Sequence, residues 1–400
     1  MPYLTPVAIE TRLNALATTY SAICTRHACS HPSHNGTTVS YLRITNGAGA
    51  GRPKVLVIAG VHAREWAPPD AVLSFAHKLL NAYSTSSPII FPAFRDSVSA
   101  PAISFPRFRL PFPDVRRIVE RLNLFILPCV NPDGRAFSMS AAVNADWRKN
   151  RRPNANPACI GVDINRNFDI AWDFDVYYSV AAAATVASSK DPCDPQVYIG
   201  SSPESEPETQ NVRDLINSEQ ITFFVDVHSY SRKILYPWGV DTNQTIDSTQ
   251  SFQNVAHNRN PAVAGSGRDG TTGNVYKEFF PNNAPLRLLA KHELIGNRMK
   301  DRILGSAGPG PIARSRSTYT VEPSLDLYPA TGVSDDYAFS RQLINPALAP
   351  IFAFTIECGS SSDGEGGFQP DYTTKYPKIE REVHAALSGL LSYAAAWHRP

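Results

Sequence analysis

His62 and Glu65 stand three residues apart in Val61-His62-Ala63-Arg64-Glu65-Trp66, and His228 opens His228-Ser229-Tyr230 much further along the chain. Two imidazoles and a carboxylate with an open fourth position form a known catalytic zinc set. A further carboxylate outside that set, here Glu357, can act as base toward a water. Each residue alone says little: a histidine at a strand end is more often a satisfied polar group than a ligand, and a His-x-x-Glu spacing recurs by chance. Their shared placement is what gives them weight, because a metal site requires convergence in space.

Four apolar, β-branched runs read as buried strands: Lys54 to Gly60, Asn123 to Val130, Ile221 to Val227 and Ile351 to Ile356. His62 and Glu65 follow the first, His228 the third and Glu357 the fourth. Helix-period segments lie between them, at Pro69 to Tyr83, Pro203 to Asn217, Ala284 to Ile303 and Tyr376 to His398. Strands alternating with helices imply an α/β fold with a mixed, largely parallel central sheet flanked by helices, in which ligands sit at the C-terminal ends of the strands. No internal repeat or low-complexity linker divides the chain, so residues 1–400 are expected to form a single large domain. The Pro-, Ser-, Gly- and Ala-rich segments Ser84 to Pro113 and Leu304 to Ser317 read as surface loops inserted in that core.

Composition agrees with a globular protein that buries a sizeable core, since 42% of the 400 residues are hydrophobic and 18% charged. A formal net charge of +2 from 38 basic and 36 acidic residues creates no field that implies nucleic acid or an anionic membrane. No apolar run of membrane-spanning length appears, and residues 1–20 have neither the basic leader nor the apolar core of a signal peptide. Six cysteines are too few for a stapled scaffold. Cys24 with Cys29, and Cys159 with Cys193, could pair, whereas Cys129 and Cys358 end strand-like runs and read as core. Asn35-Gly36-Thr37 and Asn243-Gln244-Thr245 match the glycosylation acceptor pattern and tilt the reading slightly toward secretion.

From His62 to the final helix, the order of these motifs resembles the zinc metallocarboxypeptidases of the carboxypeptidase A/B type. The resemblance implies that His62, Glu65 and His228 are ligands of one zinc ion and that Glu357, in Thr355-Ile356-Glu357-Cys358, is the general base. It implies that Arg148, in Asp146-Trp147-Arg148-Lys149, polarises the scissile carbonyl. Asn165 and Arg166, in Asp163-Ile164-Asn165-Arg166, match the pair that clamps a terminal carboxylate, and Tyr328 matches the tyrosine that closes over substrate. Arg64, Ser229 and Tyr230 match subsite positions, Asp163 matches a carboxylate that orients a zinc histidine, and Cys159 with Cys193 matches the family's common disulfide. Counting from Tyr328, Asp335 matches the pocket-floor position that is apolar in A-like and Asp in B-like members, although Val333 stands where the B-like pattern has Gly.

The implied protein is a secreted, monomeric peptide hydrolase with its leader removed and no pro-segment ahead of residue 1, acting on peptide or protein C-termini. C-terminal Lys or Arg is the expected preference, with a broad or apolar preference as the alternative. Two other readings stay open: a zinc amidohydrolase acting on acyl-amino acids or cell-wall peptides, and an inactive binding module that keeps the fold.

Overall fold

The computed structural model describes residues 2–46, 51–96, 102–259 and 277–397. The expected strands appear as β3 (Lys54–Ala59), β4 (Asn123–Leu127), β5 (Phe223–His228) and β8 (Phe352–Glu357) of an eight-stranded sheet. Val55 through Ala59 are wholly buried, as are Phe125 through Leu127, which is why these strands read as unbroken apolar runs. The other four strands are β1 (Cys24–Ala28), β2 (Ser40–Ile44), β6 (Lys233–Tyr236) and β7 (Thr320–Pro323). The spatial order is β1-β2-β4-β3-β5-β8-β6-β7, with β4, β3, β5 and β8 mutually parallel and β2 and β6 antiparallel to their inner neighbours. Glu357 and His228 are register partners at the shared ends of β8 and β5, so pairing alone brings the expected base beside an expected ligand.

Several of the helices that flank this sheet begin where the sequence supplies N-terminal chemistry. Helix α2 (Ala67–Ser84) carries Pro68 and Pro69 in its first turn with Asp70 behind them, and α4 (Pro207–Glu219) opens on a proline. Helix α6 (Ser334–Ile344) opens on Asp335 and Asp336 and packs on β5 and β8. Helices α5 (Leu288–Ala307) and α7 (Tyr376–Ala396) pack together, and α7 also covers α2. The sequence pattern had not suggested α6, nor α1 (Pro6–Thr19) and α3 (Phe112–Arg121).

The two expected loop insertions carry structure of their own. Ile89–Phe91 pairs with Phe108–Leu110, and Phe94–Asp96 with Ile103–Phe105, while α5 runs on to Ala307 and a short helix covers Pro311–Ser315. Phe91 stacks on Phe108, and Phe94 on Phe105, so paired aromatics replace the periodicity that a longer element would show. Positions 97–101 of the first insertion, and His398 at the end of the last expected helix, lie outside the described residues. Cys159 and Cys193 form a disulfide across 34 positions, a closure typically worth about 3–4 kcal/mol. Cys24 and Cys29, which could have paired, are free thiols: Cys24 opens β1 and Cys29 lies just past its end, with the extended strand between them. Cys129 and Cys358 are free and buried, as core residues. No described helix is long and apolar enough to cross a membrane.

Candidate metal centre and cleft

Beyond the end of β3 the chain turns His62 and Glu65 inward, to 3% exposure each, against His228 at 1%. His62 Nδ1 lies 2.7 Å from Glu65 Oε1 and 3.0 Å from His228 Nδ1, which is 3.1 Å from Glu65 Oε2. The far nitrogen of each ring meets a carboxylate: His62 Nε2 lies 3.2 Å from Asp163 Oδ1, and His228 Nε2 lies 2.9 Å from Asp226 Oδ2. Carboxylates so placed favour a proton on Nε2, the tautomer that turns the Nδ1 lone pairs toward one another and toward Glu65. Neutral imidazole nitrogens facing each other this way repel unless a cation lies among them. Tetrahedral zinc at about 2.0–2.1 Å from each donor needs donors about 3.3 Å apart, so a small outward shift accommodates it. The residues present fit a zinc ion.

Electrostatics points the same way. Burial opposes charge on His228, but Asp226 and Glu65 raise its pKa well above the imidazole value. Burial would likewise raise Glu65, yet the two imidazoles override it and hold that carboxyl far below the usual range. The pocket thus draws positive charge into itself. Glu357, half-buried at the rim, is pushed up to about 7, chiefly by burial and further by Glu65 and Asp226.

Asp163 ties this cluster to the cleft. Its Oδ2 accepts from Arg148 Nε and Nη2 at 3.0 and 2.9 Å, while Oδ1 accepts from the Asn165 amide at 3.0 Å and caps the 164–166 turn. Burial would raise its pKa, but Arg148, His62 and Arg166 hold it well below the carboxylate range. Gly332, at φ +66, closes over that turn: a Cβ there would meet the Arg166 carbonyl oxygen at 2.3 Å, so a side chain at this position would displace the turn that carries Arg166. Arg64, Arg148, Arg166, Gln196 and Tyr328 line one open cleft. Tyr328 is 44% exposed, its ring 5.5 Å from the Arg166 guanidinium carbon. Arg64 stacks at 4.0 Å on Phe368, which packs 4.7 Å from Tyr230, and the Ser229 amide donates to Glu65 Oε2 at 3.0 Å.

A smaller pocket opens beneath, lined by Asn165, Arg166, Ser324, Tyr328, Val333, Asp335 and Glu357 among others. Asp335 is 2% exposed and accepts from Ser324 Oγ at 2.6 Å, and burial raises its pKa. Arg64, Arg148, Arg166 and Tyr328 line the cleft and Asn165, Asp335 and Glu357 the pocket beneath, while His62, Glu65, His228 and Asp163 form the buried cluster joined to them through Arg148; the cysteine pair closes the Cys159–Cys193 segment containing Ser188 and Ser189 of the cleft wall.

Sequence reasoning missed Asp226, Ser334, Gln196 and Phe368. Asp226 had a signal: an acidic residue inside an otherwise apolar strand, two positions before His228 and so on the same face. Ser334 had none. Its Oγ donates to Asp226 at 2.8 Å, and its amide donates to Asn165 Oδ1 at 2.8 Å, so it joins the support of His228 to the 164–166 turn. Replacing Asp226 by Ala is expected to weaken zinc affinity about 10- to 100-fold with the fold retained, read by chelator competition. An unchanged affinity would show that His228 needs no such partner. A second group, His34, Glu206 and Glu208, is braced by Asn150 and Arg152 and supports the loop that carries Arg148.

A mostly parallel sheet whose strand ends gather two histidines, a glutamate and a further carboxylate defines a metal-dependent hydrolase architecture of the α/β class. The zinc carboxypeptidase family model matches residues 9–384, and the chain belongs to that family. Human carboxypeptidase O is 26% identical over 388 residues, covering 95% of this chain and 76% of that protein. Mouse carboxypeptidase A4 is 31% identical over 224 residues, which span 56% of this chain and 44% of the relative, so that match takes in less than half of its length. Among solved structures, carboxypeptidase A from Helicoverpa armigera superposes with a TM-score of 0.67 at 23% identity, covering 98% of this chain and 74% of that one. The likeness is one of fold.

Proposed function

We propose that this protein is a zinc-dependent carboxypeptidase, with His62, Glu65 and His228 as the metal ligands and Glu357 as the general base. The observation that carries the reading is the neighbourhood of Arg166. A guanidinium only 7% exposed shares a small pocket with Glu357, at the inner end of a cleft that also holds Arg148. Among the described residues the Arg166 guanidinium bonds the Asn165 carbonyl and has no carboxylate in hydrogen-bonding contact, which suits a ligand that brings one, and a peptide C-terminus does so. Asn165, whose Oδ1 is engaged by the Ser334 amide, has its amide donors available for the same carboxylate.

Bound zinc supplies Lewis acidity and lowers the pKa of a water to about 7. Glu357 takes the proton of the attacking water and returns it to the leaving amine. Arg148, oriented by Asp163, faces the negative charge that grows on the carbonyl oxygen. Tyr328, on the exposed edge of the cleft beside Arg166, covers the bound terminus, while Arg64, Ser229 and Tyr230 meet the residues before it. The disulfide suits an extracellular setting.

Specificity follows from Asp335. A carboxylate in a narrow, buried pocket gains most from a cation, so C-terminal Lys or Arg is preferred. Ser324 favours the opposite outcome, because its hydroxyl already satisfies Asp335, and Val333 adds bulk to the same wall. The test is kcat/KM on peptides that differ only in a terminal Arg, Lys, Leu or Phe, for wild type and Asp335→Asn. The expected result is a preference for Arg and Lys that falls at least tenfold in the variant. A wild-type preference for Leu or Phe, or an Arg/Leu ratio that the substitution leaves unchanged, would remove Asp335 from specificity. Failure to release any terminal residue, with acyl-amino acids hydrolysed instead, would support the amidohydrolase reading.

A further inference from the structure

The loop that leaves β8 runs over the protein surface with residues 361–364 and 366 exposed, yet Glu365 in its middle is 3% exposed. Glu365 Oε1 lies 2.5 Å from Arg232 Nη2 and 3.0 Å from Lys378 Nζ. Lys378 donates to Glu382 Oε1 at 2.6 Å, the Tyr319 hydroxyl donates to Glu382 Oε2 at 3.0 Å, and that hydroxyl accepts the Gly359 amide at 3.3 Å. Three buried charges, Glu365, Lys378 and Glu382, together with the half-buried Arg232 thus run from α7 to the backbone just after Glu357 and to the turn just after Tyr230. Ions in a low-dielectric interior are held to the geometry their partners dictate, since each is costly to leave unpaired.

What this anchor holds is the far wall of the cleft. Gly367, two residues after Glu365 and at φ +59, approaches the Tyr230 ring so closely that a Cβ would lie 3.2 Å from Tyr230 Cε1. Phe368 follows, packed on Tyr230 and under Arg64, with its carbonyl accepting the Trp66 amide at 3.2 Å. Arg232 stands two residues after Tyr230 and divides its Nη2 between Glu365 and the exposed Asp363, 3.0 Å away, so Glu365 is the buried carboxylate that joins both sides of the Tyr230–Phe368 contact. None of Arg64, Tyr230 and Phe368 lines the pocket that holds Asp335. A substrate whose last residue fills that pocket meets this wall with its preceding residues.

We propose that Glu365, acting through Arg232 and Lys378, is a positioning residue for recognition of substrate residues upstream of the one removed. The inference rests on the carboxypeptidase reading above. Two substrates sharing their last two residues separate the cases: a blocked dipeptide and a peptide extended upstream by four residues, with kcat and KM determined separately. Glu365→Gln is expected to raise KM on the extended peptide about tenfold, leaving kcat, and both constants on the dipeptide, within about twofold of wild type. Glu365→Gln combined with Lys378→Gln removes one charge of each sign, leaves the net charge of the cluster unchanged and should give the same split; it provides the reading if the single variant does not fold. Equal changes on both substrates, or no change on either, would overturn the proposal. A wild-type protein that cleaves neither peptide would overturn the carboxypeptidase reading instead.

Discussion

Glu357→Gln is expected to keep its zinc and lose about 10²- to 10⁴-fold in kcat, the usual consequence of removing a general base. The substitution is nearly isosteric, and it touches none of His62, Glu65 and His228, whose two Nδ1 atoms and carboxylate oxygens already meet at 2.7–3.1 Å without it. It also leaves the β5–β8 pairing intact, because that register is set by backbone bonds on strands with buried apolar neighbours. An amide cannot accept the water's proton, so turnover falls while metal content, measured on the same sample, stays at one zinc per chain. Retention of more than about a tenth of wild-type turnover would assign the base elsewhere. Loss of zinc together with activity would mean that Glu357 holds the metal centre together and is not simply a base beside it.

The parts of the fold that were legible in the sequence are those where burial on both faces writes a continuous apolar run. Strands β3, β4, β5 and β8 are of that kind, and the residues just past their ends fall where the sheet builds its site. The outer strands are different. Ser40–Ile44 alternates buried and half-buried positions, and Thr320–Pro323 is polar and partly exposed, so neither carries an apolar signal. Their pairing depends on partners distant in sequence, which no local pattern records. Helix α6 was hidden for a similar reason: Ser334, Asp335 and Asp336 look like a turn, and only the fold turns them inward as a buried first turn. Supporting residues such as Asp226 and Ser334 act through single contacts across the sheet, and Glu365 sits in a Gly- and Ser-rich stretch that reads as solvent-facing loop. Side chains that do chemistry cluster by type and place, whereas those that steady them are chosen by geometry.

The second large effect concerns the substrate's own charge. Arg166 and Asn165 sit on a turn fixed from three sides, by Asp163 at its cap, by the Ser334 amide on Asn165 and by Gly332 closing against the Arg166 carbonyl. That rigidity suits bidentate recognition of one carboxylate at a fixed distance from Glu357, and recognition of this kind discriminates sharply because a missing charge leaves a buried guanidinium unpaired. Amidation of the C-terminus should therefore lower kcat/KM by about 10³-fold or more, and Arg166→Ala should abolish most of the difference between the two forms. The measurement that tests the account most directly is mass spectrometry of one peptide in its free-acid and amidated forms, digested side by side by zinc-loaded protein. The account predicts stepwise release of single residues from the acid and essentially none from the amide. Equal cleavage of both, or cuts at internal bonds, would contradict it.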